Sequence, residues 1–356
     1  MSAPTLAEAL ARGRDNNLDA VRLAAAFAVV ASHAWPLALG RGTPEPLAAL
    51  TGVSLGGWAV IVFFLVSGVL VTRSAMRLRN DLAGFALARA ARILPGLAGA
   101  LLAVALGALL LTGGATGPGE AASYVLRGIT LVSLEHTLPG AFADNPYAGA
   151  VNGPLWTLFY EVLAYGLVGG AALLLAVRRR AGAFAAAGLA GLGLALLAAA
   201  ALARPEAIAH RIEVGGPLLA AFAVGAAAAL LARRIRLDWR LCAGLWGLAG
   251  LAAAAGSDAL VPALTIAVGH TVLMLSWRTP VVRLPADVSY GVYLYGWPVA
   301  QGIVSLAGDL SPAALALVSS AAVLPVAWLS AFLVERPALA LSRTRPAPAR
   351  PAVAAA

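Results

Sequence analysis

Residues 18–38 read LDAVRLAAAFAVVASHAWPLA, and this stretch sets the terms for the rest of the chain. A helix that crosses a hydrocarbon core of roughly 30 Å needs about 20 mostly apolar residues, and this stretch has that length and character. Yet it carries Asp19, Arg22 and His33. A charged group at mid-bilayer costs at least about 2.5–3.5 kcal/mol on insertion scales, so an unpaired one is rarely tolerated. Asp19 and Arg22 stand three residues apart and can pair on one helix face. Arg22 and His33 have ten residues between them. That is about three turns, so both side chains leave the same face, ~16 Å apart along the axis. The plainer readings are an interfacial ion pair for Asp19–Arg22 and a histidine hydrogen-bonded to a neighbouring helix for His33.

Composition extends this reading to the whole chain. Of 356 residues 61% are apolar and 12% charged, against about 25% charged in a soluble domain. The pattern predicts an all-α, polytopic membrane protein with ten spans in one bundle. They are 19–39, 52–74, 94–112, 154–176, 183–203, 216–232, 241–256, 259–276, 289–307 and 313–334. The mixed stretch 120–138 reads as interfacial or re-entrant. Residues 1–18 form a cytoplasmic segment, 19–341 the transmembrane domain, and 342–356, rich in Pro and Ala, a disordered tail. The first span has no clear cleavage site and is expected to be retained.

All 25 basic residues are Arg. With the N-terminus in the cytoplasm, twenty of them fall in cytoplasmic segments and only Arg41, Arg127, Arg204 and Arg211 in outer ones. The positive-inside rule therefore predicts both termini inside. The net charge of +9 reads as membrane orientation rather than nucleic-acid binding. The single cysteine, Cys242, excludes an intrachain disulfide and a Cys-based metal cluster.

The fourth span begins NGPLWTLFYEVLAYG at Asn152. Glu161 lies ~10 Å below its outer surface and His33 ~8 Å below the same surface. A carboxylate and an imidazole at one depth would orient and charge each other for general acid–base work. The plainer reading is a helix–helix pair without chemistry. Asn152 and Trp156 lie just above, where Trp156 also fits an interfacial anchor. In the second span, Ser67-Gly68 reads more simply as a site of close helix approach than as a nucleophile. Arg89 and Arg92, three apart at the mouth of the third span, suit bidentate phosphate binding, although arginines there also serve topology. In the ninth span, Tyr290, Tyr293 and Gln301 are expected to line an interior, and Tyr295 and Trp297 to face lipid. No GxGxxG, P-loop, HExxH or CxxC is present, and no metal is expected.

Several pieces, in order, resemble the acyltransferase-3 family, the membrane O-acyltransferases that modify bacterial surface sugars. They are LDAVR followed by His33, FFLVSG at 63–68, RAARILP at 89–95, LWTLFYE at 155–161, SYGVYLYGWP at 289–298 and ERP at 335–337. The resemblance covers about residues 15–340. It implies a multi-pass protein of the bacterial inner membrane that takes acyl-CoA, usually acetyl-CoA, from the cytoplasm and passes the acyl group to a carbohydrate on the periplasmic side. It implies His33 and Arg22 as essential, Glu161 as supporting, and Arg89 and Arg92 near the CoA phosphates. The expected site is then His33, Glu161, Arg22 and Asp19 for catalysis; Arg89, Arg92, Ser67 and Tyr290 for the donor; and Asn152 and Trp156 for the acceptor. An imidazole titrating near neutrality suits a general base. Two departures stand out: many members carry His at Gly296, and Val69 replaces a common Phe. The competing readings are a transporter or proton-coupled flippase, since intramembrane His and Glu also serve proton relays, and a structural subunit. The absence of a repeat between 19–176 and 183–334 favours the enzyme.

Overall fold

Several helices begin or end where local side-chain or glycine chemistry dictates. In the computed structural model, which describes residues 3–78, 81–131, 136–177 and 205–343, α1 (Leu6–Ala11) opens on a reciprocal cap between Thr5 and Glu8. The helix α2 (Leu18–Leu39) stops at Gly40, whose φ of 92° a side-chain-bearing residue rarely adopts. After the short α3 (Pro46–Thr51), Ser54 caps α4 (Leu55–Arg77) through the Gly57 N–H. Asp81 does the same for α5 (Leu82–Leu111) through Gly84. These side chains satisfy N–H groups that a helix start leaves without partners. The helices α6 (Pro118–Thr130), α7 (Trp156–Val177), α8 (Pro205–Leu230), α9 (Trp239–Ala254), α10 (Leu260–Arg278), α11 (Ser289–Ala307) and α12 (Pro312–Ser330) follow. A π-helical turn, Ala331–Glu335, joins α12 to α13 (Arg336–Arg343). The described residues contain no strand, only two isolated bridges.

Among the described residues, six helices are long and apolar enough to cross a membrane: Leu18–Leu39, Leu55–Arg77, Leu82–Leu111, Arg211–Leu230, Leu260–Arg278 and Pro312–Ser342. Leucines such as Leu106, Leu110, Leu317 and Leu333 project outward from them, an apolar exterior that suits lipid rather than water. Helix overlies nine of the ten predicted spans; 183–203 lies outside the described residues. The stretch 120–138 becomes α6, which at 13 residues is ~20 Å long and too short to span. The helix α13 runs through Ser342 and Arg343, two residues into the expected tail, and 344–356 lie outside the described residues.

The helices α2, α4, α8, α11 and α12 make the centre of the bundle. Their approach is set by small residues. A Cβ on Gly68 would run into the Phe222 carbonyl of α8, and one on Gly225 into the Leu65 carbonyl of α4. Gly68 thus does what Ser67-Gly68 predicted, close helix approach.

The two ends of the bundle are tied differently. At one end the chain before α2 pairs with the α8–α9 turn, through Leu6 N–H to the Ile235 carbonyl at 2.8 Å and Leu237 N–H to that of Pro4 at 2.9 Å. Asn17 there binds the Pro280 carbonyl and the Val282 N–H, and Arg336 reaches the Pro285 carbonyl. The first residues of the chain and α13 therefore share one end. At the other end, Glu45 accepts from Ser32 at 2.5 Å and from the Leu55 N–H at 2.8 Å, locking α2 to the start of α4. There Gln301 and Asn145 hold the 138–153 loop on α11.

Candidate active site

Along α2 three cavities follow one another. The first, about 670 Å³, opens at the end that carries the N-terminal segment and is lined by Asp19, Arg22, Arg92, Asp287 and Glu335, among others. The second, about 270 Å³, shares Arg22, Arg92, Leu70 and Leu339 with it and adds Ser67, Arg89, Glu161, Tyr165, Tyr290 and Tyr293. The third, about 160 Å³, holds His33 with Val29, Gly56, Trp156, Thr157 and Tyr293. The second and third share Val60, Thr157 and Tyr293. Ionisable groups expected eleven residues apart on one face of α2 thus line the two ends of a continuous row.

The charges in this row do not pair as the sequence predicts. Arg22 pairs with Asp287 at 2.6 Å rather than with Asp19. Arg92 binds the same carboxylate oxygen at 2.9 Å. The other oxygen accepts the Ser289 N–H at 3.1 Å and hydroxyl at 2.6 Å. Burial works to raise the Asp287 pKa, but the two guanidiniums and the Ser289 hydrogen bonds prevail and hold the carboxyl well below the usual range. The reason for the changed partner is tertiary: Asp287 approaches from the loop before α11, where one acid serves arginines from both α2 and α5.

His33 and Glu161 are not hydrogen-bonded or ion-paired to each other. Glu161 accepts from Tyr165, one turn on along α7, and lines the second cavity. His33 lines the third, where its ring meets Trp297 edge-on with centroids 5.0 Å apart. Similar depth put them at one level; the Thr157–Tyr293 hydroxyl pair stands between their cavities.

Arg89 and Arg92 sit inside a helix rather than at its mouth, because α5 begins at Leu82, twelve residues before the predicted span. Arg89 lies over the Tyr165 ring at 5.7 Å, and its buried Nε has no hydrogen-bond partner among the described residues. Tyr290 donates to the Ile93 carbonyl at 2.8 Å and lines the second cavity with Ser67. Trp156 is 38% exposed and lines the His33 cavity. Asn152 is buried, donates to the Leu294 carbonyl at 3.0 Å and leaves its Oδ1 without a partner among the described residues.

Tyr295 and Trp297 do not face outward: both are buried, because α11 is surrounded by α2, α5 and α12. Trp297 donates to the Ala150 carbonyl at 2.8 Å. Gly296 packs on α2, where a Cβ would stand 2.7 Å from Val30 Cγ2.

Sequence reasoning passed over Asp287, Glu335 and Thr157. Asp287 had a signal, an acid two residues before the serine that opens a helix, the spacing of a local side-chain cap. Glu335, in the ERP tripeptide, is 4% exposed, lies on the π-helical turn and accepts from Ser330 at 3.1 Å. Such turns recur at functional sites. The described residues hold no cluster of metal-ligating side chains.

The acyltransferase domain of the acyltransferase-3 family matches residues 15–332. The chain is 31% identical over 356 residues to nodulation protein 10 of Rhizobium leguminosarum bv. viciae, covering 92% of this chain and 94% of that protein. It is 29% identical over 333 residues to an O-acetyl transferase of Shigella phage Sf6, covering 91% of this chain and 96% of that one. No solved structure matches. A match that runs from just before α2 to just past α12, through most of the elements that line the three cavities, establishes that the chain belongs to the acyltransferase-3 family.

Proposed function

We propose that this chain is a membrane O-acyltransferase that moves an acyl group, acetyl in the first instance, from cytoplasmic acyl-CoA to a hydroxyl of a cell-surface carbohydrate on the periplasmic side. The observation that carries the reading is the row of cavities along α2, arginine-lined at one end and holding His33 at the other. Family membership and the name of the phage relative support acyl transfer to oxygen. Ten spans in the bacterial inner membrane, with both termini in the cytoplasm, belong to the same proposal and draw on the arginine distribution. That orientation turns the first cavity to the cytoplasm and the His33 cavity to the far side.

The roles follow the geometry. Arg89, whose Nε has no partner among the described residues, is the guanidinium for the donor phosphates, with Tyr290 and Ser67 on the wall beside it. Arg22 and Arg92, held by Asp287, shape the passage; Asp19 lines its entrance. Glu161 orients Tyr165 beside Arg89 rather than orienting His33. His33 takes the proton of the acceptor hydroxyl, Trp156 walls the acceptor's side, and Asn152 holds the chain just before α7 against α11.

The test uses the full chain in lipid nanodiscs, radiolabelled acetyl-CoA, and surface polysaccharide from a strain lacking the protein. Label should enter the polysaccharide as alkali-labile acetate, and His33→Ala should abolish this at unchanged melting temperature. Acetyl-CoA binding separates this reading from transport, which gives no reason to bind the donor. A wild-type protein that neither binds acetyl-CoA nor labels the polysaccharide would sink the proposal.

A further inference from the structure

The boundary between the second and third cavities is made by Val60, Thr157 and Tyr293. The hydroxyls of Thr157 and Tyr293 are hydrogen-bonded to each other, and Tyr293 donates to the Pro154 carbonyl at 2.7 Å. A phenol has one proton. The Thr157 hydroxyl also stands 3.3 Å from the Pro154 carbonyl; with the phenol proton on that carbonyl, the bond between the two hydroxyls takes the Thr157 proton. Both residues are buried. Thr157 stands in the first turn of α7, and the Phe63 ring packs edge-on against Tyr293 at 6.0 Å.

We propose that Thr157 and Tyr293 form the partition at which the acyl group changes carriers, and that their hydroxyls donate to its carbonyl oxygen there. This rests on the O-acyltransferase reading above. A thioester entering along the arginine-lined side and a hydroxyl deprotonated by His33 on the other side meet only where the two cavities meet. There the acceptor oxygen bonds to the carbonyl carbon, its proton passes to His33, and negative charge gathers on the carbonyl oxygen. The carbon–sulfur bond then breaks with its electron pair on sulfur, the carbonyl re-forms, and the imidazolium returns the proton to the sulfur. Thioester and alcohol become ester and thiol, and nothing else is consumed. The transient oxyanion needs donors in a site shielded from water. Val60 has none to give; the two hydroxyls do, and Tyr293 supplies its proton by turning from the Pro154 carbonyl to the acyl oxygen.

The experiment compares Tyr293→Phe, Thr157→Val and Thr157→Ser in nanodiscs, with acetyl-CoA as donor and the polysaccharide of the deletion strain as acceptor. Removing one oxyanion donor costs about 10²–10³ in kcat in characterised enzymes. Tyr293→Phe is expected to lower kcat about 10²-fold while the acetyl-CoA Kd stays within about twofold. Thr157→Ser keeps the hydroxyl and should stay within about threefold of wild type; Thr157→Val should not. A Tyr293→Phe protein with wild-type kcat overturns the inference and leaves the O-acyltransferase reading standing. So does a Tyr293→Phe protein that loses donor affinity and melting temperature in step with activity, since the hydroxyl then only holds helices together. A wild-type protein without transfer refutes the reading of the site and the inference with it.

Discussion

The two ends of α2 treat their ionisable groups in opposite ways. At Arg22 the charge is paired: Asp287 holds it at 2.6 Å, binds Arg92 through the same oxygen, and is itself held by Ser289. At His33, three turns on, the ring meets Trp297 edge-on, and neither nitrogen is hydrogen-bonded among the described residues. A group that shapes a passage gains from being paired, since pairing fixes its rotamer and offsets desolvation. A group that must take a proton needs a nitrogen left open for the substrate. On the proposed function, one helix carries a positioning end and a reactive end; the observed difference lies in what the neighbouring elements supply.

That contrast can be broken most directly at the reactive end. His33→Gln keeps a polar side chain but cannot act as a base near neutrality, and should lower kcat for acetyl transfer by about 10²–10⁴-fold with acetyl-CoA affinity unchanged. Equal losses of affinity and rate would make His33 a packing residue like any other. At the positioning end the effect should appear as stability. Asp287→Asn leaves two arginines without their carboxylate and is expected to cost about 3 kcal/mol, seen as a lower melting temperature in detergent. If melting is unchanged, Arg22 is not held as described. A smaller loss, about 1–2 kcal/mol, is expected for Gln301→Ala, which removes the buried partner of Asn145 and of the Tyr147 and Ala150 carbonyls; this probes the loop beside His33 without touching the arginines.

The smallest effect sharpens the contrast by its absence. Because the Asp287 pKa is depressed in the folded protein, its contribution is present above the unfolded value near 3.9 and lost only as pH falls through the lower folded one. The melting difference between wild type and Asp287→Asn should therefore stay constant from pH 5 to 8. A difference that shrinks within that window would show a carboxyl that is not held by its arginines.

Much of the fold was legible because lipid imposes a single strong constraint: helices long and apolar enough to span. The span predicted over 289–307 coincides with α11. The helix of the third span starts earlier than the span itself, since Arg89 and Arg92 read as a polar boundary although α5 runs through both from Leu82. Tyr295 and Trp297 were turned the wrong way because helical periodicity names a face but not its neighbours, and α11 has neighbours on all sides.

The candidate site divides in the same manner. Residue type and depth named Arg22, Glu161 and His33 as side chains that an apolar span does not carry idly, and spacing named Arg89 and Arg92 as a pair at a helix mouth; the structure lines two adjoining cavities with all five. Pairing was beyond reach. Whether Arg22 meets Asp19 on its own helix or Asp287 from a loop 265 residues away, and whether Glu161 meets His33 or Tyr165, turns on ångströms of lateral placement between helices. The amino-acid sequence by itself determined which segments are helical and apolar and which polar groups go with them, because burial of backbone and charge is a local cost each segment must meet. Only the tertiary structure decided which of those groups touch, because hydrogen bonds and ion pairs act over about 3 Å and that distance is set by the packing of helices far apart in the chain.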